Sequence, residues 1–414
     1  MTPQQDRNPL IAVSGLIVSM ALLAFGNGLM FAYVPIKLAI LGHEPSVAGW
    51  MLTAMAGGGL LGCLACGWFV RAVGHARAFM ALAAVAILSY AVLALSDAVI
   101  AWGIARGIYG FAVTGVFIVS QTWLNSATPN RWRGRVLSIF YAAYVFNIGL
   151  GGFSIGFIPL EGTAAPVLAI VLVALSIVAA GTTSLPVPRQ VTRSPVSLGV
   201  VWRHSPIALA GALTVGGLTS LVQGFAPIYA DSEGFSPQKV GLLLLLMQLG
   251  MFGIQTPMGV LSDRIDRRVV LLLAAGLVAA ASAFAWSVTA LPYWAMVLVF
   301  AIWAGATESI FSVSNAHAND RVQPENALTM TTTLMFAWSI SGFVAPLAAT
   351  LLTAHFGNRS FMITCACLGL LLMFFILLRL VRASDLRPTE KERHAPGSSQ
   401  APFMPELLQK RNVR

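Results

Sequence analysis

The sequence predicts an all-α membrane protein of twelve transmembrane helices, arranged as two six-helix pseudo-repeats. Three observations carry this. Hydrophobic residues make up 57% of the 414 residues and charged residues only 10%, against roughly 25% charged in a water-soluble domain. The apolar residues fall in twelve runs, each close to the ~20 needed to cross a bilayer core. One short basic loop occurs twice, once in each half of the chain. With a mean hydropathy of +0.80, the charged residues are too few to cover a soluble particle, so lipid is the solvent for most of the surface.

Taken in order, the runs predict spans near residues 10–36, 47–70, 78–96, 98–124, 134–158 and 164–184. After a polar break they resume near 206–230, 237–260, 269–288, 291–315, 327–353 and 359–380. The first run, Leu10 to Val34, exceeds the ~7–15 residues of a secretory h-region and has no small-residue cleavage site after it, so it is expected to remain as a span. The break at 185–205 holds Pro186, Pro188, Arg189, Arg193, Pro195, Arg203 and His204 and no acidic residue. The domain reading is therefore an N-terminal bundle over 1–184, a linker over 185–205 and a C-terminal bundle over 206–382. A polar tail over 383–414 is expected to be disordered at its end.

The net charge of +10 is distributed as a topology signal. A nucleic-acid binder gathers basic residues on one polar face with aromatics between them; here they sit in short loops between apolar runs, which excludes nucleic acid as a partner. Arg71, Arg77, Arg131, Arg133, Arg135, Arg189, Arg193, Arg203, Arg264, Arg267, Arg268 and Arg321 fall on one side with the basic tail. The other side offers little beyond Lys37, Lys239 and Arg359. Basic loops stay in the cytoplasm, so both termini are expected there.

Cys63 and Cys66 form a C-x-x-C within a Gly-rich apolar run. With no second pair at zinc spacing, they read as small residues on one helix face suited to close packing. No metal cluster, nucleophile elbow or phosphate loop is evident. The expectation is no enzyme, no metal, no cofactor and no use of ATP.

The repeated loop begins at Gly67 after the second span, running Gly67-Trp68-Phe69-Val70-Arg71-Ala72-Val73-Gly74-His75-Ala76-Arg77. It begins again at Gly259 after the eighth, running Gly259-Val260-Leu261-Ser262-Asp263-Arg264-Ile265-Asp266-Arg267-Arg268. Six spans, a loop copy and six more fit two parallel repeats. The loop resembles the signature of the major facilitator superfamily, approximately G-x-L-a-D-R-x-G-R-K. The second copy matches it with Asp266 at a usual Gly; the first has Arg71 at the usual Asp. A narrower resemblance, to the YcaD-like group of bacterial permeases, rests on Gln121-Thr122-Trp123-Leu124-Asn125, Arg133-Gly134-Arg135, Gln255-Thr256-Pro257 and Ala316-His317-Ala318-Asn319-Asp320-Arg321.

The resemblance implies two six-helix bundles in a bacterial inner membrane, rocking about a midplane site lined by the first, fourth, seventh and tenth spans. It implies a monomeric secondary transporter moving a small solute by alternating access. In related drug–proton antiporters the Arg-Gly pair in the fourth span, here Arg106-Gly107, is assigned to coupling. The fifth span here lacks the proline of the antiporter Gly-Pro-x-x-Gly-Gly signature, which weighs against a drug–proton exchanger.

Charged groups inside spans are costly, so each is a functional candidate. Arg106 lies in the fourth span and Glu308 in the tenth, flanked by Thr307, Ser309 and Ser312. A carboxyl group enclosed by apolar walls can take up a proton near neutral pH, which makes Glu308 the candidate proton carrier. A structural ion pair between Glu308 and Arg106 is the alternative. Gln121 stands where related sequences have Glu and cannot titrate. It, Asn125, Asn147, Gln223, Gln248 and Gln255 are candidates for substrate hydrogen bonds or for interhelical polar contacts. The second loop copy is the expected gate, through Gly259, Asp263, Arg264, Arg267, Arg268 and Arg321; Gly67 and Gly74 mark the first copy. His317, Asn319 and Asp320 are expected to cap the end of the tenth span, with a proton path as alternative. Gly57, Gly58, Gly59 and Gly62, and Gly149, Gly151, Gly152 and Gly156, suit close helix crossings. Protons are the expected coupling ion and export the preferred direction, because the cavity spans are mostly apolar. The alternatives are import of a small organic anion with Arg106 as counter-charge, and a transporter-like sensor.

Overall fold

The computed structural model describes residues 9–183, 196–288, 290–322 and 326–382. The predicted tail and the linker residues Arg189 and Arg193 lie outside them. Among the described residues the secondary structure is helical throughout. It consists of α1 (Pro9–Ile40), α2 (Pro45–Val73), α3 (His75–Leu95), α4 (Val99–Ala127), α5 (Asn130–Ser154, followed by a 3₁₀ turn), α6 (Ala164–Gly181), α7 (Leu198–His204) and α8 (Pro206–Ser232). The remainder are α9 (Pro237–Arg264), α10 (Arg267–Ser287), α11 (Tyr293–Asn319), α12 (Ala327–Phe356) and α13 (Phe361–Arg382).

Twelve of these, all but α7, are long and apolar enough to cross a membrane. Helices are the natural solution in hydrocarbon, because they satisfy every backbone N–H and C=O within the segment. Large apolar side chains face outward along them, as at Leu61, Leu64, Leu371 and Val381. That surface suits lipid and not water.

The seventh-numbered helix is the addition that the sequence pattern did not announce. Seven residues are too short to show a helical period. The Ser197 hydroxyl accepts the Val200 N–H at 3.5 Å as an N-cap. Its own N–H donates to Thr333 Oγ1 at 2.9 Å, and Trp202 packs on Phe375.

Two compact units divide the chain. The first gathers α1 to Lys37, α2 from Ala54, α3 to α6, and the Ser236–Leu245 start of α9. Within it, helices cross at glycine. A methyl group at Gly58 would overlap the Gly107 carbonyl, and one at Gly110 the Met55 carbonyl, so α2 and α4 touch backbone to backbone. Gly28 and Gly151 meet α5 and α1 in the same reciprocal way. Small residues allow this where lipid supplies no hydrophobic drive between helices. Cys66 Sγ donates to the Gly115 carbonyl at 3.6 Å, in keeping with a packing role.

The second unit gathers Leu38–Thr53, α7, α8, the rest of α9 and α10 to α13. Helix α8 packs on α11, α12 and α13, and α10 packs on α11 and α13. Phe225, Tyr229, Phe300, Trp303 and Phe361 form its aromatic core. At one end Arg359 pairs with Glu233 at 3.0 Å and donates to the Val288 carbonyl at 2.9 Å, tying three loops together.

The two loop copies start their following helices differently. Gly74 precedes α3 at φ +83°, a left-handed conformation that favours glycine, and offers no side-chain cap. Asp266 precedes α10 at φ −62° and accepts the Arg268 N–H at 2.8 Å. The Asp at a usual glycine position is thus an N-cap, bonded to an otherwise unpaired helix donor.

Candidate functional site

Arg106 is 3% exposed. The glycine crossing of α2 and α4 brings Met55 so close that its thioether accepts from Arg106 Nη2 at 2.8 Å. The guanidinium carbon stands 5.8 Å from the Phe31 ring centre and 5.4 Å from that of Tyr109. Such cation–π contacts contribute roughly 0.5–2 kcal/mol each, more as water is excluded. Tyr109 stacks on Tyr90 at 4.6 Å. Arg106 Nε and Nη1 find no hydrogen-bond partner, and among the described residues no carboxylate lies within ion-pair distance of Arg106.

Elsewhere in the first unit, Gln121 is buried and its amide donates to the Tyr141 hydroxyl, within an aromatic group of Phe117, Phe140, Tyr141 and Tyr144. The Asn125 carbonyl accepts from Arg133 Nε at 3.1 Å, and the Asn147 amide bonds the Ala143 carbonyl one turn back at 2.8 Å. Arg71 and Gly67, in the first loop copy, are exposed.

Glu308 is 3% exposed, midway along α11 and the sole acidic residue so enclosed among the described residues. Its neighbours in sequence turn their hydroxyls onto backbone: Ser309 onto Gly305 at 2.7 Å and Ser312 onto Glu308 at 3.0 Å. Thr307 is 2% exposed and its hydroxyl finds no hydrogen-bond partner. Gln248 donates to Gln223 at 2.9 Å between α9 and α8. Gln255 is also buried.

At one end of the second unit the loop copy and the end of α11 form one network. Arg267 is 2% exposed and grips Asp320 through Nε at 2.7 Å and Nη2 at 3.4 Å. Asp263 is a looser partner at 3.6 Å, and Ser262 Oγ accepts from Arg267 Nη1 at 3.4 Å. Forked pairing of this sort is among the stronger polar contacts in proteins. Arg264 is exposed, Gly259 and His317 are buried, and the Asn319 side chain lies outside the described part. Arg321 is half-buried, and desolvation with Arg268 beside it lowers its pKa from the ordinary value. The sequence reading named Arg267 and Asp320 in separate motifs. Their union was missed, and the only signal for it was one acidic residue closing a span beside an arginine-rich loop.

Twelve apolar helices that enclose Arg106 in one span and Glu308 in another define a polytopic membrane protein of the carrier class, with no cluster of His, Cys, Asp or Glu fit for a metal among the described residues. The chain belongs to the Major Facilitator Superfamily, whose family model matches residues 16–254 and 208–413. It is similar to the uncharacterized MFS-type transporters YcaD of Salmonella enteritidis, 22% identical over 90% of this chain and 96% of that one, and of Escherichia fergusonii, 23% identical over 90% and 95%. Among solved structures it resembles the nucleoside transporter NupG (TM-score 0.69, 11% identity, 88% of this chain and 99% of that one). It also resembles a D-xylose–proton symporter (TM-score 0.70, 15% identity, 89% and 97%). The protein is a secondary transporter of a multi-pass bacterial inner-membrane type, and not an enzyme.

Proposed function

We propose that the protein couples proton movement to transport of a small solute by alternating access, with Glu308 as the proton carrier. The observation that supports this is a carboxylate 3% exposed midway along a span. A carboxylate there is expensive to keep charged, and taking up a proton removes that cost. The bundles over 1–184 and 206–382 are the two moving bodies of a monomer, and both termini face the cytoplasm. The Arg267–Asp320–Asp263 network is the gate: contacts made only while its side is closed bias the equilibrium toward that state. Export is the direction we favour, since α1, α4, α8 and α11 bury mostly apolar side chains.

The test is proton movement in proteoliposomes with a panel of solutes, run beside Glu308→Gln. Solute-dependent proton flux that disappears in the variant is the expected result. Solute flux without proton flux, unchanged by the substitution, sinks the coupling reading.

A second reading is import of a small organic anion held by Arg106. It is favoured by one observation: Arg106 Nε and Nη1, enclosed within a span, stand without hydrogen-bond partners. An anion-dependent flux lost in Arg106→Gln but kept in Glu308→Gln would select it.

A further inference from the structure

Each of the two helices that end in a loop copy divides between the compact units. Helix α2 is in the second unit up to Thr53 and in the first from Ala54; α9 is in the first unit up to Leu245 and in the second from Leu246. Within the first unit the start of α9 meets α5, and within the second the start of α2 meets α12. Each crossing joins the second span of one half to the fifth span of the other. The two are equivalent in the repeat and opposite in chemistry.

At the α5–α9 crossing backbone lies on backbone. A methyl group at Gly241 would stand 2.9 Å from the Gly152 and Phe153 carbonyl oxygens, one at Gly156 2.9 Å from Gln238 Cα, and one at Gly152 2.8 Å from the Leu244 side chain. Gln238 Nε2 also donates to the Gly156 carbonyl at 3.1 Å. A gap of only ~0.5–1 Å between such surfaces forfeits a quarter to a half of each contact. The α2–α12 crossing is made by hydroxyl side chains. The three nearest atoms to a methyl at Gly49 all belong to the Thr350 side chain, the closest at 2.7 Å. Thr53 spends its hydroxyl proton on the Gly49 carbonyl at 3.0 Å, so Thr350 donates to Thr53 Oγ1, at 3.3 Å. Bonds of this type are usually ~2.7–2.8 Å, and water can replace a long one at little cost. Pro346 stands one turn before Thr350 and supplies no N–H, so the end of α12 can bend; α5 has no internal proline. We infer that the α5–α9 crossing is a pivot that stays closed through the transport cycle, while the α2–α12 crossing is the one that parts. This deepens the alternating-access reading above, and its test needs neither solute nor proton flux, so the two can fail separately.

The experiment is alkylation by N-ethylmaleimide of the purified full chain in lipid nanodiscs, in a background of Cys63→Ala, Cys66→Ala, Cys365→Ala and Cys367→Ala. Thr350 and Leu244 are both buried, one at each crossing. Thr350→Cys is expected to react at least ~10-fold faster than Leu244→Cys, since the rate follows the open fraction and tenfold corresponds to only ~1.4 kcal/mol between the two separations. Equal rates, a faster Leu244→Cys or no reaction at either overturns the inference. A staple then tests the pivot. With Gly156→Cys and Gln238→Cys, the Cβ atoms would stand 3.4 Å apart, near the ~3.5–4.5 Å of a disulfide. Once that disulfide has formed, Thr350→Cys is expected to react at its former rate, and protection of Thr350→Cys by the staple overturns the pivot. Should the cysteine-free background not fold, hydrogen exchange of the wild-type chain decides. Amides of residues 47–53 are expected to exchange faster than those of residues 148–154, and equal or slower exchange there overturns the inference.

Discussion

Arg106 brings a positive charge into a helical unit and meets sulfur and ring faces instead of a carboxylate. Taking a guanidinium out of water costs several kcal/mol, and contacts worth ~0.5–2 kcal/mol each offset only part of that. A charge kept at such a cost, with unpartnered N–H groups, fits the proposal that Arg106 acts in transport. The prediction is a split between stability and activity. Arg106→Met removes the desolvated charge and keeps the chain length, so its Tm in detergent is expected to equal or exceed that of wild type, as replacement of buried ions by apolar chains often does. Transport is expected to fall at least ~10-fold, the effect of losing about 1.4 kcal/mol of binding to the transported state. A variant that melts well below wild type with transport intact would make Arg106 structural. The sequence identified Arg106 and Glu308 because intramembrane charge is conspicuous in any apolar run. It did not show the Phe31–Met55–Tyr90–Tyr109 surround, whose members lie on four helices and have no common motif. Asp320 shows the same limit, since a carboxylate closing a span reads as a cap until its arginine partner is seen folded against it.

Helices were legible at the scale of whole elements, and their pairing was not. Every expected span falls within four residues of a helix at both ends, because the length of an apolar run is set by the bilayer and not by neighbours. The glycine clusters announced close crossings without naming partners. Gly58 belongs with Gly107, and Gly110 with Met55, a pairing that also sets the distance between Met55 and Arg106. Gly58→Val is therefore expected to push α2 from α4 and to destabilise by about 1–3 kcal/mol or more, since backbone cannot yield as a side chain does. Gly253→Ala is the matched control on α9, where an added methyl meets nothing within 4 Å. It is expected to be neutral or to gain up to about 1 kcal/mol from helix propensity. Detergent Tm of the two variants checks both expectations. Equal melting would show that the α2–α4 contact does not limit stability. Short elements were the least legible. Helix α7 is held by one N-cap serine and one tryptophan contact, and nothing in a seven-residue stretch repeats often enough to be read.

The orientation proposed for the whole molecule rests on a charge imbalance in the sequence, one member of which, Arg267, is ion-paired. Arg267 is 2% exposed and ion-paired, so it contributes little to surface charge, whereas Arg71, Arg77 and Arg264, each in an end turn of its helix, are exposed. Of the basic residues expected on the opposite side, Lys37 donates to the Leu160 carbonyl at 3.3 Å and Arg359 is paired with Glu233. Both are thus partly spent within the fold, in keeping with the expected asymmetry. The prediction uses three of the five described turns in which a glycine has positive φ and an added methyl meets nothing within 4 Å: Gly42, Gly74 and Gly162. Such open turns tolerate inserted sequence. An alkaline phosphatase sandwich at Gly42 or Gly162 is expected to be active in the periplasm, one at Gly74 inactive, and a fluorescent protein fused after Arg414 bright in the cytoplasm. The reverse pattern would place the Arg267–Asp320 network on the outer face. The proposed gate would then close toward the periplasm.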